Sequence, residues 1–188
     1  MINVIFDREI AKILTIFSVS QGSRMQRKEI QERARINNRV LDSRINLLLN
    51  AKILKKEKRL LSLDLEKEIV KNIVSILAAE YKNLKELPLD AYFSILEVID
   101  FLGRFKSLQS YLFGSYAKLI YKEKSDIDLA IISDRISEKD KKGLGNLTRK
   151  VESKYKTSIE IHYFTGNFYK NKKDPLVKEI LKNGVKLI

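Results

Sequence analysis

The sequence predicts an α+β chain in two parts, and three observations predict it. From residue 7 to residue 87 apolar residues recur at the three- and four-residue spacing of amphipathic helices, broken by one stretch of strand character at 53–63. From residue 108 onward, apolar runs of strand length alternate with helical segments. Between the two regimes Pro88 interrupts the helical pattern. The expected domains are therefore residues 1–87 and 88–188, joined without a Gly/Ser-rich or Pro-rich linker.

Taken in order, the first helix is expected from about Asp7 to Ser18, with Ile10, Ile13, Leu14 and Phe17 on one face. Gly22-Ser23 marks a loop. A second helix from Gln26 to Ala34 buries Ile30 and Ala34. A third, Asn38 to Asn50, sets Leu41, Ile45 and Leu48 in one stripe and leaves Arg39, Ser43, Arg44 and Asn46 outside. Ile53 to Leu63 reads as a β-hairpin whose charged tip carries Lys55, Lys56, Lys58 and Arg59. From Asp64 to about Leu87 one long helix is expected, with Leu65, Ile69, Ile73, Ile76, Leu77 and Leu84 as its stripe. Such a helix connects domains and can pair with its twin in a homodimer.

The second part opens with a helix from Leu89 to Leu102, turning Tyr92, Ile95, Leu96, Ile99 and Leu102 inward and closed by Gly103. Leu108 to Phe113 is a buried strand, after which Gly114 lets the chain turn tightly. Ser115 opens a short helix to about Tyr121, whose free N–H groups make an anion seat. In the next strand, Asp126 to Ile132, side chains alternate, so Asp126 and Asp128 share one face and lie roughly 7 Å apart along the strand. That separation suits one or two divalent ions. The following Leu-Ala-Ile-Ile is apolar on both faces, implying a sheet covered on both sides with the acids at its exposed end. A helix from Glu138 to about Tyr155 precedes a third strand, Thr157 to Phe164, in which Glu160 is flanked by Ile159 and Ile161. His162 shares its face and is given no role. Asp174-Pro175 starts a last helix to Lys182, Asn183-Gly184 caps it, and Val185 to Ile188 is a final short strand.

Composition bounds the chemistry. The absence of Cys excludes disulfides, thiolate metal sites and Cys nucleophiles, and the single His excludes a multi-His metal centre. The net charge of +13 points to a nucleic-acid or nucleotide partner. It concentrates between Arg24 and Arg59, where 12 basic residues face 4 acidic ones. No apolar run approaches the ~20 residues of a membrane span and no basic-then-apolar leader opens the chain. The expectation is a cytoplasmic protein without a membrane partner. Asp126 and Asp128 are disfavoured in a strand and cap no helix, which argues for a function rather than a turn.

Gly114-Ser115, a ten-residue connection and Asp126-x-Asp128 resemble the signature of the DNA polymerase beta-type nucleotidyltransferase superfamily, in particular its minimal nucleotidyltransferases, over roughly residues 90–188. The resemblance implies a small mixed sheet in an α/β domain. It implies that Gly114, Ser115 and Lys118 bind the nucleotide's phosphates and that Asp126 and Asp128 hold two Mg²⁺ ions, with Glu160 as the third catalytic and metal-binding carboxylate. Family members commonly read Gly-Ser-x-Ala-Arg-Gly. Here Gly114-Ser115-Tyr116-Ala117 matches, while Lys118 stands for Arg and Leu119 for Gly. The implied activity moves a nucleoside monophosphate, AMP from ATP, to a hydroxyl acceptor, with a partner toxin protein as the leading acceptor.

Residues 5–65, three helices and a basic hairpin, resemble a winged helix-turn-helix domain. That resemblance implies binding of double-stranded DNA. Arg39, Ser43, Arg44 and Asn46 would read base edges or adjacent phosphates, and Lys55, Lys56, Lys58 and Arg59 would contact the backbone. Two other readings stand beside the enzyme. One is a DNA-binding transcriptional regulator whose nucleotidyltransferase-like domain senses a nucleotide without turning it over. The other is an adaptor that uses the first domain and the long helix to dimerise.

Overall fold

Asp7 starts the first helix by accepting, on one carboxylate oxygen, hydrogen bonds from the backbone N–H groups of Glu9 and Ile10, each 3.0 Å long. The structure is a computed structural model that describes residues 7–188. The chain divides after Leu89 into two compact units.

In the first unit, α1 (Arg8–Val19) buries Ile10, Ile13, Leu14 and Phe17. Ile30 and Ala34 of α2 (Arg27–Ala34), with Leu41, Ile45 and Leu48 of α3 (Asn38–Asn50), are buried as their spacing predicts. A two-residue strand, β1 (Met25–Gln26), occupies the expected start of the second helix. It forms the edge of a three-stranded antiparallel sheet in the order β1-β3-β2, with β2 at Leu54–Glu57 and β3 at Leu60–Leu63. Met25 pairs with Leu61 and both are buried. Lys58 makes the hairpin turn with a φ of 54°.

The long helix is shorter than its periodicity suggested. Asp64–Lys67 forms a turn, and α4 runs only from Glu68 to Asn83. Lys85 and Glu86 then take positive φ, ending the helix before Pro88. Val70, Ile73 and Val74 form the buried face, while Ile69 and Ile76 are 45% and 64% exposed. Of the expected stripe Ile73 and Leu84 are buried, and Val70 and Val74 take the buried places expected of Ile69 and Ile76.

In the second unit, α5 (Leu89–Leu102) is buried over more of its circumference than expected, adding Phe93, Ser94, Glu97 and Val98 to Tyr92, Ile95 and Leu102. Buried Glu97 is satisfied by α7 (Glu138–Tyr155), because Tyr155 Oη and Lys154 Nζ both donate to its Oε1, at 2.6 and 2.8 Å. The sheet has four strands in the order β6-β5-β4-β7. β4 (Gln109–Phe113) is antiparallel to β5 (Ile127–Ile132), β5 is parallel to β6 (Ile159–Phe164), and β7 (Val185–Lys186) closes the other edge. The parallel pair requires a crossover, and α7 supplies it. On one face Phe113, Ala130 and Ile132 pack with Phe168 of a 3₁₀ turn (Gly166–Lys170) and with Val177 and Ile180 of α8 (Pro175–Asn183). Ile127, Leu129 and Ile131 are buried on the opposite face. Asp128 is thus a half-buried acid in a strand otherwise closed to solvent. Among the described residues no helix is long and apolar enough to cross a membrane.

Candidate active site

Where β4 ends, Gly114 turns the chain with a φ of +68° into α6 (Gly114–Lys118). A Cβ built on Gly114 would lie 1.9 Å from Asp128 Oδ2 and 2.8 Å from its Cγ. The Asp128 carboxylate therefore occupies the volume any other residue at 114 would fill. Strand register places it there, since Phe113 pairs with Asp128.

The parallel neighbour adds the next donors. Asp128 pairs with Glu160, and Ala130 with His162, so Glu160 and His162 lie on the Asp128 face. One ligand atom from each of Asp128, Glu160 and His162 falls within 4.8 Å of the others. Glu160 is 58% exposed at its side chain, and its Oε1 is 3.3 Å from His162 Nε2. The imidazole stands edge-on to Phe113, with centroids 5.2 Å apart. Asp126 precedes β5 and is exposed at the mouth of this group, outside the close cluster.

Charge is crowded here. Partial burial is the main cause that pushes the Asp128 carboxyl above the usual carboxylate range; the Glu160 charge adds to it, His162 opposes it, and Asp126 and Glu179 add smaller contributions. A divalent cation would relieve this repulsion, and the donor set of carboxylates and one imidazole fits such an ion. Gly114 fits it too, because the missing side chain lets the Asp128 carboxylate stay beside the backbone at that turn.

Around the acids, α6 has no capping side chain, leaving its first N–H groups to other acceptors. Ser115, half-buried, is its second residue. Lys118 forms an ion pair with Glu179 of α8. The sequence reading did not include Glu179, and its only signal was an acid on the polar face of the last helix. The short helix ends at Lys118 rather than near Tyr121, because Leu119 adopts a left-handed φ of 59° and is 52% exposed. A left-handed leucine costs about 1–2 kcal/mol. Tyr121 instead stacks on Tyr116, with centroids 4.5 Å apart and planes at 4°. Burial, aided by Tyr121 and Asp126, pushes the Tyr116 phenol up.

A second feature lies in the first unit. A pocket of about 420 Å³ runs between Asn46 of α3 and Lys56, Lys58 and Arg59 of the hairpin, bordered by Arg27 and Lys28. Arg39 and Ser43 are exposed on the same side of α3 as Asn46. Two of the expected residues depart from this surface. Arg44 is turned towards α1, its Nη2 2.7 Å from Asp7 Oδ2, so it ties α3 to the cap of the first helix. Lys55 points to the opposite face of the hairpin from Lys56, with its Nζ 4.0 Å from Glu66.

Residues 97–188 match the family model described as polymerase beta, nucleotidyltransferase. No curated protein matches the chain.

The position of Asp128 predicts a pH effect. Its carboxyl titrates above the ordinary range in the folded chain, so the folded state keeps this proton to higher pH than the unfolded state. Stability from this group is present below the ordinary carboxylate range and is lost as pH rises through the raised value. Asp128→Asn should therefore raise the melting temperature of the metal-free protein at neutral pH by on the order of 1–3 °C. Thermal unfolding in excess chelator checks this, and a lower melting temperature than wild type contradicts it.

Proposed function

With residues 97–188 a polymerase beta-type nucleotidyltransferase domain, we propose that the chain transfers a nucleoside monophosphate, AMP from ATP, to a hydroxyl on an acceptor, and that its first unit is a winged helix-turn-helix that binds double-stranded DNA. The observation that carries the catalytic half is the Asp128 carboxylate seated on the Gly114 backbone with Glu160 beside it. In this reading Asp126, Asp128 and Glu160 hold two Mg²⁺ ions. When bound, the ions acidify the attacking hydroxyl and neutralise the pyrophosphate leaving group. At the turn that Gly114 makes, the Ser115 N–H and hydroxyl donate to phosphate oxygens. Lys118 exchanges Glu179 for the phosphates and meets them as a point charge. Glu160, the most exposed of the three close donors, accepts the proton of the incoming hydroxyl. The acceptor oxygen bonds to the α-phosphorus as the bond to the bridging oxygen breaks, and pyrophosphate leaves. A hydroxyl of a partner toxin protein is the acceptor we favour, on the resemblance to minimal nucleotidyltransferases.

The DNA-binding half is supported by the helix order, the three-stranded sheet and the basic groove beside α3. Arg39, Ser43 and Asn46 face outward for base or phosphate contacts, and Lys56, Lys58 and Arg59 border the same opening. Exposed Ile69 and Ile76 on α4 support pairing with a second copy as a homodimer. A nucleotide-sensing reading is favoured by one observation, the Lys118–Glu179 pair that occupies the phosphate-binding lysine.

Incubation with α-labelled ATP and Mg²⁺, with and without lysate of the source, separates these readings. Label on a protein is expected with wild type and absent with the Asp126→Ala/Asp128→Ala variant. Mg²⁺-dependent ATP binding without label supports the sensor, and absence of both overturns the nucleotide site. For DNA, Lys56→Ala/Arg59→Ala should weaken duplex binding and lower the slope of log affinity against log salt by roughly 2, with nucleotide binding unchanged. An unaltered slope contradicts the groove assignment.

A further inference from the structure

We propose that His162 is itself a ligand of the metal site, giving one position an oxygen-and-nitrogen donor set that favours a transition-metal ion such as Mn²⁺ over Mg²⁺. The inference rests on the reading that Asp128 and Glu160 hold a divalent cation. It adds a donor, and a consequence for metal identity, to that reading.

Three observations carry it. Parallel pairing of β5 with β6 brings His162 onto the Asp128 face, two residues along from Glu160 and beside small Ala130, whose methyl offers no competing donor. A ligand atom from each of Asp128, Glu160 and His162 lies within 4.8 Å of the other two. His162 Nε2 is buried at the atom and makes no hydrogen bond, although Glu160 Oε1 is 3.3 Å away. A buried nitrogen without a hydrogen-bond partner costs free energy unless something binds it. The imidazole also packs edge-on against Phe113, with centroids 5.2 Å apart, which holds the ring on the Asp128 side of the sheet.

The donor chemistry then decides the ion. Mg²⁺ prefers oxygen donors and retains water, whereas imidazole nitrogen suits transition-metal ions such as Fe²⁺, Ni²⁺ and Zn²⁺; Mn²⁺ is the first-row ion that also takes the oxygen donors and serves as their paramagnetic probe. A merely structural His162, orienting Glu160 through their contact, would affect every ion alike. Replacing a ligand should instead weaken the ions that use nitrogen and leave Mg²⁺ nearly unchanged.

The test uses the full chain freed of metal by chelation, with Mn²⁺ as probe. Mn²⁺ binding is read by electron paramagnetic resonance and Mg²⁺ binding by calorimetry, for wild type, His162→Ala, His162→Gln and Asp128→Asn. Histidine nitrogen coupling should appear in the pulsed spectrum of the wild-type Mn²⁺ complex and vanish in both His162 variants. The Mn²⁺ dissociation constant should rise about 10-fold or more in His162→Ala, with Mg²⁺ affinity within about twofold of wild type. Should His162→Ala fail to fold, the nitrogen signal of His162→Gln, which preserves side-chain bulk, decides the matter. Mn²⁺ bound without nitrogen coupling, or equal weakening of both ions, overturns the inference. If His162 variants are silent while Asp128→Asn abolishes ion binding, the inference fails and the metal reading survives. Wild type that binds neither ion, or Asp128→Asn that binds as wild type does, overturns both.

Discussion

The contact between the Asp128 carboxylate and the Gly114 backbone is the constraint on which the candidate site in the second unit depends. It needs antiparallel register between β4 and β5, which places Phe113 opposite Asp128, and it needs position 114 to lack a Cβ. The positive φ of Gly114 then directs the chain into α6, so a single residue sets both the acid's seat and the start of that helix. Further along the chain Glu160 and His162 add donors to that seat. α7 returns the chain parallel to β5, and only a parallel partner in this register puts Glu160 beside Asp128 and His162 beside Ala130.

Electrostatics and packing pull against one another at this point. Phe113, Ala130 and Ile132 on the same face are buried under α8 and the 3₁₀ turn, and burial of the face is what makes the Asp128 charge costly. Like charges on Glu160, Asp126 and Glu179 raise that cost further. Proteins tolerate such arrangements where charge is to be matched by a bound partner, and a divalent cation is a partner of the right sign. Lys118 meanwhile neutralises Glu179, and the left-handed Leu119 is the local cost of ending α6 there without glycine.

Much of this arrangement was legible because strand chemistry is short-ranged. The apolar runs gave β4 and β5, the alternation in Ile-Glu-Ile-His placed Glu160 and His162 on one face, and the α+β class followed. What escaped the reading depends on partners far apart in sequence or on too few residues to show a period. β1 is two residues long and exists because β3 pairs with it. Glu179 meets Lys118 only once α8 has packed on the sheet, and Arg44 turns to Asp7 because that carboxylate is within reach. On α4, packing against α1 selected Val70, Ile73 and Val74 and left Ile69 and Ile76 exposed. Asp126 was expected inside the strand, whereas pairing begins one residue later and leaves it at the mouth.

The central claim, that the Asp128 seat on Gly114 is a metal–nucleotide site, is tested most directly by calorimetric titration of Gly114→Ala with a non-hydrolysable ATP analogue, in Mg²⁺ and in chelator. The account predicts Mg²⁺-dependent binding by wild type and a loss of about 10-fold or more in the variant while circular dichroism remains native, because the added methyl displaces the Asp128 carboxylate. Equal affinity in the two proteins, or wild-type binding that ignores Mg²⁺, would contradict it.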